Sequence, residues 1–467
     1  MKIKGLFILA ASISFVVSSP VLAQSSQILT KQYDTGGVYT GTFKDGRQHG
    51  QGTYVLPNGY EYSGQWVDGQ IQGEGTARFP NGSFYEGLFI EGKPQGLGKI
   101  TFADGGTYIG TWKDGKIDGV GVAHYANGEV YDGAFKEANH NGVGVLTSEN
   151  GYRYEGDWVD GKKTGKAKIT YPDGATYAGD VVNGMRHGKG LVTLSDGVTY
   201  DGDWQQGQIT GTGILILVNG DRYEGEMLKG QKNGQGKLTF ANGSTYTGEF
   251  KKGLRDGSGV LARKDGYEYA GTWASGKLQG AGQIAYPNGS KYVGTLKDDV
   301  PDGRGKVTYA DGGSYDGDWV QGVIQGKGLA NFANGTIYEG EFEQAQNHGQ
   351  GKIVYPEGYT YTGTWVHGIR EGKGIATFAD GSTYDGMFKA GKREGVGTLA
   401  TNDGFVYEGA WVDGQMHGIG HATYANGDDY VGAFVNGKRD GLGTMTFANG
   451  EIYDGMWKDG KTVTAAE

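Results

Sequence analysis

Tyrosine returns every 23 residues, at 39, 62, 85 and onward without a missed step to 453. An unbroken period of this length restricts the chain to a repeat architecture, in which each unit buries its apolar face against the next. Length alone, 467 residues, would suggest two or three domains. The period replaces that reading with eighteen full copies and a partial one. With Tyr as position 0, glycine falls at +2, +7, +11, +13 and +20, which together hold nearly all of the 93 glycines. Ala138, Ala167, Asp299 and Ala345 are the exceptions.

Alternation supplies the strands. Positions 0, +2 and +4 read Tyr, Gly, aromatic, with mostly polar residues between them. Positions +11, +13, +15 and +17 read Gly, Gly, apolar, aromatic. Both stretches have period two, so each copy is two short strands with one apolar face. Positions +19 and +20 are Asn-Gly or Asp-Gly in every copy except Glu357-Gly358, and Pro often precedes them (57, 80, 172, 287, 356). That order suits a type I turn closed by a left-handed glycine, a loop of three residues. Position +17 then faces +21. Where +17 is not aromatic (Leu56, Ser148, Arg263, Thr401), +21 supplies Tyr60, Tyr152, Tyr267 and Phe405. Leu194 and Leu217 lack that exchange. On the other side a six-residue loop, +5 to +10, is expected.

This register sets Trp66 between Gly50 and Gly73, Tyr62 between Tyr54 and Ala77, and Gly64 between Gly52 and Gly75. Each large ring is flanked by missing side chains and lies across its neighbours' backbones. Three strand glycines cost roughly 1.5–3 kcal/mol per copy. Two rings, each burying about 150–250 Å² when fully covered, return more than that.

The unit resembles the MORN (membrane occupation and recognition nexus) repeat, Tyr-x-Gly-x-Trp-x-x-Gly-x-x-x-Gly-x-Gly; "YIGTWKDGKIDGVG" (108–121) and "YEGAWVDGQMHGIG" (407–420) match it throughout. The resemblance implies an all-β fold, an elongated single-layer antiparallel sheet of stacked 23-residue hairpins. For many members it also implies scaffolding, dimerisation or membrane association, and it does not imply an enzyme. Repeats cover 39–460, leaving 24–38 as a lead-in and 461–467 as a tail, with no stretch long enough for an appended kinase domain. All nine Trp sit at +4, and a shift of 207 residues maps Trp66 to Trp273, Pro94 to Pro301 and Ala138 to Ala345. A nine-repeat block has been duplicated, with its boundary near residue 245 and no structural boundary required there.

Residues 1–23 read as a signal peptide. Lys2 and Lys4 precede an apolar run, Pro20 interrupts it, and Val21-Leu22-Ala23 presents small residues for cleavage before Gln24. Export to the periplasm or beyond the cell is the expected localisation. The chain has no Cys, which excludes disulfides, thiolate nucleophiles and thiolate metal ligands. Loss of Lys2 and Lys4 takes the formal charge from −10 to −12. That sign disfavours nucleic acid and anionic membrane as partners.

Nothing in the sequence assembles a catalytic set, and no cofactor or metal site is expected. Carboxylate pairs such as Asp201/Asp203, Glu224/Glu226, Asp316/Asp318 and Glu339/Glu341 lie two apart on the polar face, without a pocket; solvated surface explains them better than acid–base chemistry or cation binding. His49, His187, His348 and His417 share the +10 position but stand in distant copies, so they read as loop decoration without metal-ligand spacing. The Gly-x-Gly pairs open strands and not helices, which removes a phosphate-loop reading. Asn-Gly-Ser/Thr at 81, 242, 288 and 334 is explained by turn chemistry.

The apolar face is the functional lead. Its candidate contacts are Tyr62, Trp66, Tyr108, Trp112, Tyr154, Trp158, Tyr200, Trp204, Tyr269, Trp273, Tyr315, Trp319, Tyr361, Trp365, Tyr407 and Trp411. Two readings stay open: the rings fill the glycine row themselves, or the row is a groove for an extended ligand. The function expected is a non-catalytic exported scaffold or spacer, binding an unidentified protein or itself. The rival is a glycan- or lipid-binding module that uses the aromatic face.

Overall fold

A computed structural model describes residues 27–463, so the expected signal peptide and the last four residues lie outside the described residues. The described chain is antiparallel strand joined by tight turns, 39 strands in all, with no helix. Its described residues divide into two compact units, 27–195 and 196–463. Within each unit, consecutive strands pair in chain order. Pairing runs unbroken across residue 245, where the duplicated block begins again, so that boundary leaves no structural mark.

The first strands show how each copy is built: β1 (Leu29–Gln32), β2 (Val38–Lys44), β3 (Arg47–Val55), β4 (Glu61–Val67) and β5 (Gln70–Arg78). Between β3 and β4 the three-residue loop forms as the Pro-Asn-Gly order predicts. Gly59 N–H donates to Leu56 O (3.0 Å), Leu56 N–H donates to Tyr60 O (2.8 Å), and Asn58 Oδ1 accepts Tyr60 N–H (3.0 Å). Position +17 faces +21 as expected, and the compensating rings reach the next copy: Tyr60 packs on Phe79 and Tyr152 on Tyr171. The register is Gly50↔Trp66, Gly52↔Gly64 and Tyr54↔Tyr62 on one side, then Tyr62↔Ala77 and Gly64↔Gly75 on the other.

The second loop differs from the six-residue expectation. β4 and β5 are joined by two residues only, Asp68-Gly69, both at positive φ (47° and 90°). Asp-Gly suits the type I′ hairpin, whose twist matches that of the strands. The surplus residues are absorbed by a bulge in β5, where the register shifts between Gly64 and Trp66. Trp66 therefore pairs with Ile71 and not with Gly73. Gly73 sits inside the bulge at φ +101°, a conformation L side chains rarely adopt. With Trp66 opposite Ile71, +9 lies on the aromatic face, while +3 and +12 lie on the opposite face.

Candidate functional site

All sixteen aromatic residues expected to make contacts are buried, each exposing 9 % or less of its surface. Their cover comes from the repeat itself. A Cβ on Gly75 would come within 2.6 Å of the edge of the Tyr62 ring and closer still to its Oη, and one on Gly52 would clash with Tyr39 in the same way. The tyrosine at position 0 thus lies flat on the +13 glycine, and the glycine row is filled from within. Edge-to-face contacts then run from copy to copy. Trp66 meets Tyr39 at 5.1 Å and Tyr62 at 5.6 Å between ring centroids, and Tyr62 meets Phe89 at 5.0 Å. The polar ends are satisfied inside the face. Tyr62 Oη donates to Gln65 O (3.0 Å) and Trp66 Nε1 to Gly52 O (3.2 Å). The same indole bond recurs at Trp112, Trp158, Trp273, Trp319, Trp365, Trp411 and Trp457. Burial pushes the tyrosine hydroxyls up, to about 12 at Tyr85, Tyr200 and Tyr361. They remain protonated donors at any physiological pH.

A second row, at position +9, covers these rings. Ile71, Ile117, Ile209, Leu278 and Met416 occupy it in some copies and cations in others. His140 stacks on Tyr131 at 3.7 Å. Lys163 Nζ stands 5.0 Å over Tyr154 and donates to Tyr152 Oη (2.9 Å). The Arg255, Arg393 and Arg439 guanidinium groups lie 3.9, 4.1 and 4.1 Å over Trp273, Trp411 and Trp457. Their free ends donate to the carbonyls of Gly276, Gly414 and Gly460 in the next turn. Aliphatic, flat cationic and imidazole side chains share one task here, which is to close a ring face. The signal was present in the sequence: Ile, Leu and Pro have no reason to recur at one position of a solvated loop.

The polar residues also serve the ladder. At +10, Gln95 accepts Asp114 N–H (2.8 Å), and Glu371, Glu394 and Asp302 do the same for the amides of Ala390, Asp413 and Gln321. The histidines at this position, His49 and His348, face the equivalent amides at 3.5 Å, so they are joints between copies and not decoration. At +3, one member of several carboxylate pairs caps the bulge. Asp203 accepts Thr212 N–H (2.8 Å), Glu226 accepts Gln235 N–H (2.9 Å), and Asp318 accepts Lys327 N–H (2.9 Å). Asp318 is also paired with Arg304 (3.3 Å). These acids hold backbone, although Glu339 and Glu341, with Asp316 and Arg304, line an open cleft of about 530 Å³ that the sequence reading does not expect.

Two rows break this capping rule. In the first unit Leu88 and Ala134 stand at +3, and the +12 residues Leu97, Val120 and Val143 are 74 %, 64 % and 67 % exposed. In the second unit Met387, Ala410, Ala433 and Met456 stand at +3, and Val396, Ile419 and Leu442 are 68 %, 69 % and 69 % exposed. Cross-strand pairs Val396↔Ala410, Ile419↔Ala433 and Leu442↔Met456 make the second row continuous from strand to strand. Both rows lie on the face expected to be solvated and polar.

One further cluster corrects the expectation that the histidines stay apart. His348 Nδ1 and His367 Nδ1 lie 3.1 and 3.9 Å from Glu343 Oε2, and the two imidazoles are 5.1 Å apart. His367 belongs to the next copy, directly after the strand Thr360–Val366, at a turn that a six-residue loop would keep away from His348.

The MORN repeat family model matches eighteen segments of the chain, from 39–59 and 62–84 through to 407–429 and 430–452. The protein belongs to the MORN repeat family, whose members are in general not enzymes. No curated protein sequence matches it. Among solved structures, the TCP domain of SAS-4 from Drosophila melanogaster, solved with a proline-rich motif of Ana2, is 14 % identical; the match covers 43 % of this chain and 90 % of that one, at a TM-score of 0.20. The TCP10 domain of CPAP from Danio rerio, solved with a peptide of STIL, is 14 % identical over 60 % of this chain and 96 % of that one, at 0.16. Virginiamycin B lyase from Staphylococcus aureus is 12 % identical over 65 % and 88 %, at 0.11. At such TM-scores these likenesses bear on neither fold nor function.

Proposed function

We propose that the protein is a non-catalytic, exported scaffold that docks a protein partner on the outward apolar rows of its sheet, in the periplasm or outside the cell. The observation that carries the reading is the replacement of a bulge-capping side chain by Leu, Ala or Met beside an exposed Leu, Val or Ile. A row that served the fold alone would keep Asp, Glu or Thr at +3, because the cap bonds an otherwise solvent-facing amide and the acid keeps the face wet. Apolar side chains of this exposure, aligned across neighbouring strands, are the usual mark of an interaction surface. The aromatic face supports this reading from the other side: its rings are engaged with one another, and Lys, Arg, His or aliphatic chains lie over them. Export rests on the basic end, the apolar run and the Val21-Leu22-Ala23 cleavage site.

A photo-crosslinking residue at Val120 or Ile419 should capture one discrete protein in the native host, while the same probe at Gln235 or Ser258, on the polar part of the same register, should not. Equal capture at all four positions, or none, would contradict the docking reading. Capture of a second copy alone would replace it with self-association. Sequencing the purified protein's N-terminus should find Gln24; an intact Met1 would remove the export part.

A further inference from the structure

We propose that Glu343, His348 and His367 form a binding site for a first-row divalent transition ion, with zinc the ion best suited to it. The three residues come from two successive copies. Glu343 ends the strand Ile337–Glu343, His348 lies on the returning strand Gln346–Val354, and His367 is the first residue of the turn after Thr360–Val366. Among the described residues this is the one group of three such side chains whose ligand atoms fall within 4.8 Å of one another. The repeat supplies an independent argument. Position +5 holds Val, Ile, Leu, Ala, Gln or Lys in every other copy, and Glu343 is its only acid. Position +6 holds Asp, Asn, Glu, Gln, Lys, Ser or Ala elsewhere, and His367 is its only histidine. Two departures unique to their registers therefore meet at one point, beside a histidine at +10.

The geometry suits a small ion. Tetrahedral zinc with bonds of about 2.0–2.2 Å sets its ligand atoms roughly 3.3–3.5 Å apart. The carboxylate-to-imidazole distances of 3.1 and 3.9 Å bracket that edge, so a small rotation of the His367 ring completes it. Two imidazoles with one carboxylate favour zinc, copper or nickel over the oxygen-seeking calcium and magnesium. The His367 amide stands 3.5 Å from His348 Nδ1, at the long end of the 2.8–3.5 Å that this bond spans in other copies. The side chains are half-exposed, which leaves the fourth position to water and an open path for entry. A bound ion would join two consecutive copies at the turn edge of the sheet.

The test uses the full mature chain, stripped of metal and titrated with Zn²⁺ and with Co²⁺. One equivalent should bind, and Co²⁺ should develop the visible absorption of a four-coordinate site with nitrogen and oxygen ligands. Glu343→Val and His367→Asn should each weaken binding roughly tenfold or more. Both variants place a residue that the repeat already uses at that register, as Val320 and Val366 or Asn183 and Asn436 do, so their circular dichroism should match the parent. Absence of a saturable equivalent, or unchanged affinity in both variants, would overturn the site.

Discussion

The position of Gly75 explains why a chain this rich in glycine folds at all. Tyr62 lies where a Cβ on Gly75 would be, so the glycine is a seat for a ring and not a loss of packing. Gly75→Val should destabilise the protein by about 1–3 kcal/mol through overpacking, read from denaturant midpoints. Gly75→Ala should do less, because Ala167 occupies the same register in its own copy; equal effects would argue against the seating role. His140 gives the residue scale a pH signature. Burial against Tyr131, Phe135 and Trp158 holds its imidazole down to about 4 from 6.5, with Glu129 opposing and Lys163 adding to the effect. Between those values the unfolded chain binds a proton that the fold refuses, so this contribution is full above about pH 6.5 and is lost as pH falls toward 4. Melting of the parent and of His140→Gln, at pH 7 and at 4.5, should show the parent losing more on acidification. Parallel losses would mean the imidazole is not held neutral.

Within one hairpin pair, the legible and the illegible parts of the sequence have different physical origins. The Pro-Asn-Gly loop and its register could be read because turn chemistry and the exchange of rings between +17 and +21 point to one pairing. The other loop could not, because a bulge shifts the register without breaking parity: +9 lies on the same face as +13, yet Trp66 pairs with Ile71 in place of Gly73. Asp68-Gly69 carried the correct hairpin signal, and the six-residue loop overrode it. That one misreading hid the ring-covering row at +9 and the meeting of His348 with His367, while the burial of the position 0 and +4 rings followed from the glycines alone. The same turn carries a testable strain. Ala138 and Ala345 stand at +7 with φ of 67° and 63°, where every other copy but that of Asp299 has glycine, yet their amides still donate to Ile117 O and Ile324 O. Ala138→Gly and Ala345→Gly should each stabilise the protein by about 1 kcal/mol. A loss of stability in either would show that the methyl group packs favourably enough to outweigh the backbone.

In each of the two units, the two faces of the sheet divide the work. One carries the rings and is the protein's own core, although it is one layer deep; the other presents apolar rows in each unit, separated by stretches of capped, charged register. The sequence leaves the first face open between a self-filled core and a ligand groove, because a six-residue loop would keep the +9 residues off it. It hides the second because Val396, Ile419 and Leu442 each look unremarkable until the pairing sets them opposite Ala410, Ala433 and Met456. All nine tryptophans belong to the ring face, which makes the division measurable in one experiment. Intrinsic tryptophan fluorescence of the mature protein should be blue-shifted, poorly quenched by acrylamide, and unmoved by glycans or lipid vesicles. Red-shifted emission with ready quenching, or a shift on adding either ligand, would show that the aromatic face is open and would contradict the account of it as core.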